Sequence, residues 1–229
     1  MKTALLICDR VNDDLLHVQG DYPGMFVDLF PELDFEIFNV YQGHFPNDVN
    51  DFQAYMTNGS RLSVYDEVDW IDRLKAFVRE IYLAKKKYVG VCFGHQLLAK
   101  ALGGKVAKAA TGWSVGVHSF TIAHQESWMS PFQSNLNLLM MCQDQVQILP
   151  PGGKILAKTA ACPVGIFHVD NQMLGIQAHP EFSKEYDRAL MELRVDRMGT
   201  EVVNAGIESL QQPLDREIIA QWVLRFLNR

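Results

Sequence analysis

"KYVGVCFGHQLLAKALGG", Lys87–Gly104, runs an apolar strand-like segment into a helical pattern and sets Cys92 between Gly90 and Gly94 at the junction. Tyr88–Val91 reads as a buried strand and His95–Leu102 as a helix that Gly103-Gly104 would cap. "GVCFG" has the G-x-nucleophile-x-G form of a strand-to-helix elbow. So tight a turn strains the central residue, and glycines two positions to either side remove the Cβ atoms that would clash. At a helix N-terminus the macrodipole and free N–H groups favour thiolate over thiol, and the Phe93 N–H is a natural oxyanion donor. Glycine-flanked cysteines also occur as inert core thiols. A nucleophile at Cys92 therefore requires a base, a group that orients it and a second oxyanion donor elsewhere in the chain.

Outward from the elbow the pattern alternates. Ala4–Cys8 is a short apolar run, Phe35–Tyr41 a second strand, and "FQAYMTNGS" a third strand ending in a loop at Gly59. Between that loop and the elbow, apolar residues from Trp70 to Tyr82 repeat at helical spacing, which predicts a helix over Asp69–Lys85. Strands alternating with helices of this length favour a mostly parallel sheet covered on both faces. Lys105–Ala178 changes to short alternating segments and turns and reads as hairpins. After Phe182 the pattern is helical: Ser183 can cap a helix to Gly199, a second spans about Glu201–Leu210, and a third follows Pro213. No repeat or linker interrupts residues 1–229, which read as a single domain with a helical tail over about 183–229.

Composition narrows the function. With 48% hydrophobic residues among 229, a packed core is expected, and a net charge of −6 argues against a nucleic-acid binder. The four scattered cysteines form neither a disulfide framework nor a zinc site, which points to a reducing cytoplasm and to no metal. The apolar run at Ala4–Cys8 is too short to enter a membrane.

Of the seven histidines, His179 in "GIQAHPEF" has the most informative setting. It ends an apolar strand, Pro180 stops the ladder, and Glu181 can swing back to accept from the imidazole. Gly59, after the third strand, can present its N–H with no side chain in the way.

These residues together resemble the class I glutamine amidotransferases, most closely their free-standing GMP-synthase-like and γ-glutamyl-peptidase-like relatives. The resemblance runs from about Phe45 to Phe182. Its matching pieces are "TNGSRLSVYD", "WIDRLKAFV", "GVCFGHQLLAKALGGKV", "GWSVG", "DQVQILPPGGKILAKT" and "GIQAHPEF". It implies a flavodoxin-like three-layer α/β fold with a central, mostly parallel sheet of about seven strands, a β-hairpin region and a helical C-terminus. It also implies a thiol hydrolase that attacks the γ-carbonyl of glutamine or a γ-glutamyl compound through a glutamyl thioester. Cys92 would be the nucleophile, His179 the base and Glu181 its orienter. The N–H groups of Gly59 and Phe93 would hold the oxyanion, with Gln96 and Ser60 as substrate contacts and no cofactor.

One segment departs from the family pattern. Where members that bind free glutamine often carry His-Gly, this chain has Met141-Cys142-Gln143-Asp144, and Gln143 fills space where backbone would approach the ligand. A γ-glutamyl peptide therefore stands beside glutamine as the expected small-molecule substrate. The stretch after Glu181 is too short for a synthase domain, so released ammonia would need a separate synthase. The tail, with Trp222 and Phe226, could dock such a partner or a second copy, or else simply cover the sheet. A non-catalytic, ligand-binding homologue is the remaining alternative.

Overall fold

The computed structural model describes residues 1–229 as a sheet with helices packed on both faces. The strands are β1 (Lys2–Ile7), β2 (Asp34–Asn39), β3 (Ala54–Thr57), β4 (Lys87–Val91), β5 (Lys105–Lys108), β6 (Ser114–Ile122), β7 (Asn135–Cys142), β8 (Asp144–Ile148), β9 (Gly153–Lys158), β10 (Ile166–Val169) and β11 (Met173–Ile176). The helices are α1 (Leu16–Gln19), α2 (Tyr22–Leu29), α3 (Asp69–Leu83), α4 (Phe93–Ala101), α5 (Lys184–Leu193), α6 (Val195–Met198), α7 (Thr200–Ser209) and α8 (Arg216–Leu227).

Nine strands form one sheet in the order β2-β1-β3-β4-β11-β10-β9-β6-β7, with β5 and β8 paired apart. The pairs from β2 through β11 are parallel, and those from β11 through β7 are antiparallel. The central sheet implied by the resemblance is thus present, and it is wider than expected because the hairpin region extends it. Alternation along the strands explains the layers. In β1, Leu5 and Ile7 join one core cluster, while Ala4 and Leu6 join the other. α3 and α4 cover the second face; α2, α5, α7 and α8 cover the first.

α3 lies where its periodicity predicts. α4 begins at Phe93, two residues before the predicted start, because the turn at Cys92 delivers the chain directly into helical geometry. The helix predicted from Ser183 to Gly199 is broken: Ser183 caps α5, as expected, but the chain leaves helical geometry at Arg194 before α6 resumes. α2 is an addition to the sequence-based elements; Asp21 caps it, and Tyr22, Met25, Phe26 and Leu29 bury one face. Trp222 and Phe226 are buried against the sheet, with Trp222 Nε1 donating to the Pro131 carbonyl at 3.0 Å. They belong to the core, so of the two readings of the tail it is sheet cover that holds at these residues. No helix is long and apolar enough to cross a membrane.

Because β1, β3, β4 and β11 run parallel, their carboxyl ends meet along one edge of the sheet. Asn58, Gly59, Cys92 and the segment leading to His179 all emerge there, at the edge where α/β sheets bind ligands.

Candidate active site

Cys92 sits at the junction of β4 and α4 with φ 50° and ψ −98°, a conformation that costs a non-glycine residue about 1–3 kcal/mol. The surrounding bonds hold it in place. Its N–H donates to the Ile176 carbonyl at 2.8 Å, and its own carbonyl accepts from Gln96 N–H at 3.1 Å. Tyr88 Oη donates to the Gly94 carbonyl at 3.0 Å and meets Thr57 Oγ1 at 2.6 Å, so the start of α4 is tied to β3 and β4. A Cβ on Gly94 would fall 1.9 Å from Thr57 Oγ1. The glycine spacing read from the sequence therefore reflects direct backbone-to-sheet contact.

His179 and Glu181 follow β11, and both are buried. His179 Nδ1 and Glu181 Oε1 are 2.7 Å apart, and the imidazole stacks on Phe182 with centroids 4.0 Å apart and planes 11° apart. The main chain is anchored too, with His179 N–H donating to the Leu139 carbonyl at 2.8 Å and Gln19 Nε2 donating to the Glu181 carbonyl at 2.8 Å. Burial alone would lower the His179 pKa. The charges of Cys92 and then Glu181 outweigh it and push the imidazole up to about 10.

Gly59 brings the two halves together. A Cβ at this position would lie 2.9 Å from His179 Cε1 and 3.7 Å from Cys92 Cβ, so the Gly59 backbone lies directly against both. Its N–H has no acceptor within the protein. The Phe93 N–H, at the first position of α4, has no intrahelical acceptor either. Asn58 braces the Gly59 loop by accepting from Cys8 N–H at 2.7 Å.

Beside Cys92 opens a cavity of about 260 Å³. Ser60, Gln96 and the departing segment Met141–Asp144 line it. Gln96 Nε2 is spent on the Asp144 carbonyl at 2.7 Å and on Gln177 Oε1 at 3.1 Å; its Oε1 has no protein partner. Asp144 is likewise engaged, accepting from Ser63 Oγ at 2.5 Å and Tyr65 Oη at 2.9 Å.

The sequence reading missed the basic wall. Arg61, Lys108, Arg194 and Arg197 line the same cavity, with Trp113 beneath Arg197. Only the i, i+3 pair of arginines in "LRVDR" hinted at it, and the expected unbroken helix gave them no common target.

The other thiols stand outside this chemistry. Burial raises the pKa of Cys8 and of Cys142, and it holds Cys162 at about 12, so all three are neutral thiols at physiological pH. His95 is fully buried, edge-on to Phe167, and burial lowers its pKa to about 3, so its imidazole is neutral at physiological pH. No group of three or more His, Cys, Asp or Glu side chains converges in a way that could hold a metal ion.

Comparison with known proteins places this chain in a family. Residues 63–197 match the glutamine amidotransferase class-I family. The chain is 31% identical over 192 residues to gamma-glutamyl peptidase 3 of Arabidopsis thaliana, covering 80% of this chain and 77% of that one. It is 26% identical over 168 residues to a subunit of the glutamine-hydrolyzing GMP synthase of Sulfolobus acidocaldarius, covering 73% and 87%. A crystal structure of a glutamine amidotransferase from Thermotoga maritima superposes with a TM-score of 0.76 at 19% identity, covering 99% of this chain and 96% of that one. The matched segment contains the elbow, the His-Pro-Glu turn and most of the cavity wall, and the chain belongs to the class-I glutamine amidotransferases.

Proposed function

We propose that this protein is a thiol hydrolase that cleaves the γ-carbonyl C–N bond of glutamine or a γ-glutamyl compound. The convergence of Cys92, the His179–Glu181 pair and two free N–H groups on one sheet edge carries this reading. Each residue takes the role that its position supports.

The Cys92 thiolate attacks the γ-carbonyl carbon, a C–S bond forms, and the carbonyl electrons move onto oxygen. The N–H groups of Gly59 and Phe93 stabilise that oxyanion, and Gln96 and Ser60 contact the substrate. As the oxyanion collapses the C–N bond breaks, and the leaving nitrogen takes the proton that His179 holds. Two of the influences that keep His179 protonated act from Cys92, so forming a neutral thioester releases the imidazole to serve as base. Water, deprotonated by His179, then hydrolyses the thioester and regenerates the thiolate. Glu181 fixes the ring orientation throughout.

We take the whole chain, residues 1–229, as one catalytic unit, since Leu5 and Phe226 belong to the same core cluster. Its free cysteines suit a reducing cytoplasm. A second reading is a glutaminase that hands ammonia to a separate synthase. The similarity to a component of a glutamine-hydrolyzing GMP synthase favours it.

The test is turnover of glutamine and a panel of γ-glutamyl peptides by wild type and Cys92→Ala. Wild-type turnover that vanishes in a folded Cys92→Ala variant supports the reading. Stimulation by an added synthase would select the second form, and turnover retained by Cys92→Ala would move the chemistry elsewhere.

A further inference from the structure

The basic wall raises a question that glutamine hydrolysis leaves unanswered. Arg61 pairs with Asp9 at 2.8 Å, but Lys108, Arg194 and Arg197 have no carboxylate within ion-pair distance. Arg194 is half-buried among Tyr22 and Tyr186 and faces the like charges of Arg197 and Arg61. Withdrawing a cation from water and leaving it unpaired is costly. Acidic residues outnumber basic ones in this chain, 27 to 21, yet it leaves three free cations beside its candidate nucleophile. Arg197 is stacked on the Trp113 ring with its Cζ 5.7 Å from the centroid, which limits the directions in which its guanidinium can point.

Space adds a second observation. Across the arginines lies another cavity of about 300 Å³, lined by Asn12, Tyr22, Tyr186 and Leu190 and sharing Arg61, Arg194 and Arg197 as a common wall. Each cavity alone is at the small end of ligand sites, which run from roughly 300 to 1,000 Å³. Arg61, Arg194 and Arg197 are thus the wall common to two cavities, one of which holds the cysteine. Glutamine, whose leaving group is ammonia, has nothing to place against that wall. The unpartnered Gln96 Oε1 is an acceptor suited to the α-ammonium of a glutamyl group, which puts the glutamyl end beside Gln96 and Gln143.

We propose that the group released from the substrate carries a free carboxylate, held by Arg194, Arg197 and Lys108, so that the protein cleaves γ-glutamyl amino acids or short γ-glutamyl peptides. This rests on the reading of Cys92 as the residue that attacks a γ-carbonyl. Arg194 and Arg197 are specificity determinants in this scheme and take no part in proton transfer. A guanidinium matches a carboxylate with two parallel hydrogen bonds, which Lys108 supplements as a point charge.

The experiment compares kcat/KM for three substrates: a γ-glutamyl dipeptide with a free C-terminal carboxylate, its C-terminal amide, and the same dipeptide amidated at the glutamyl α-carboxylate. Wild type is expected to prefer the free C-terminal acid over its amide by about ten- to a hundredfold, the worth of a charge-assisted hydrogen bond. Arg194→Gln with Arg197→Gln should lower kcat/KM for the free C-terminal acid about ten- to a hundredfold more than for its amide, erasing that preference. Arg197→Gln alone, at an exposed position, should reduce it if the double variant does not fold. Equal wild-type turnover of acid and amide would overturn the proposal and leave the γ-carbonyl chemistry standing. So would an arginine effect that follows the glutamyl α-carboxylate instead. Absence of turnover of every γ-glutamyl compound would overturn both.

Discussion

A Cβ on Gly90 would lie 2.3 Å from the carbonyl carbon and oxygen of Gly94, so β4 and the first turn of α4 touch through backbone alone. That contact is what lets the chain reverse at Cys92 and present the thiol at the sheet edge. Both neighbours of the added methyl are backbone atoms and cannot give way. Gly90→Ala should therefore destabilise the protein by about 3 kcal/mol or more, or prevent folding, as read from the urea midpoint. Gly24→Ala, in α2 with nothing within 4 Å of its Cβ, is the control and should be neutral or stabilising by about 0.5–1 kcal/mol.

Gly59→Ala tests the meeting of the strand ends at the sheet edge. The new methyl would fall 2.9 Å from His179 Cε1, and only a shift of the imidazole or of the loop could accommodate it. Since the backbone of Gly59 does not have a positive φ, the fold should survive. We expect kcat to fall by about 10²-fold or more, the scale of losing one oxyanion donor or misplacing a reacting group by an ångström. An unchanged kcat in the presence of the methyl would remove Gly59 from the site.

The His179 pKa sets an alkaline limit. Its folded value of about 10 exceeds the unfolded value near 6.5. The stabilisation it provides is therefore complete below the unfolded value and is lost as pH rises through about 10. The same proton is needed by the leaving nitrogen, so kcat/KM should hold through neutrality and decline on approach to pH 10. Glu181→Gln removes one of the two charges that raise the imidazole, and should lower kcat by about 10²–10⁴-fold. It should also move the alkaline limb toward neutral pH, which a pH–rate profile would reveal.

Asp187 faces the candidate triad from α5, fully buried, with neither carboxylate oxygen paired to a side chain. Burial pushes its pKa to about 7, only partly opposed by His179 and the Gly116 backbone. A carboxyl raised in the folded state stabilises fully below its unfolded value of roughly 4, and that contribution is lost as pH rises through about 7. Asp187→Asn should thus gain stability relative to wild type, by a few kcal/mol at most, between about pH 5 and pH 8. Parallel urea melts at the two pH values are the check, and an equal difference at both would contradict the assignment.

How far the candidate site could be read from sequence depended on how local its constraints are. The elbow was legible because Gly90 and Gly94 are each forced by a clash within a few residues or across one strand pair. The His179–Pro180–Glu181 turn was legible because the imidazole and its carboxylate partner are two residues apart. The basic wall was not. Arg194 and Arg197 reach the cavity only because the chain breaks between α5 and α6, a tertiary effect in a segment whose periodicity is that of one continuous helix. Trp222 and Phe226 show a milder case: a large apolar stripe favours sheet cover but leaves a docking surface open until the sheet is in place, and here it is cover. Continuation of the parallel strands into the antiparallel ones was likewise beyond local pattern, since it depends on β11 lying between β4 and β10.

The central claim, that Cys92 forms a thioester with a γ-glutamyl group, can be tested directly by acid-quenching the protein during turnover of a γ-glutamyl dipeptide and mapping its mass. The account requires a single added glutamyl group, on the peptide that contains Cys92, absent from Cys92→Ala and lost on incubation at neutral pH. Turnover with an unmodified Cys92, or a glutamyl group found on Cys142 or Cys162, would contradict it.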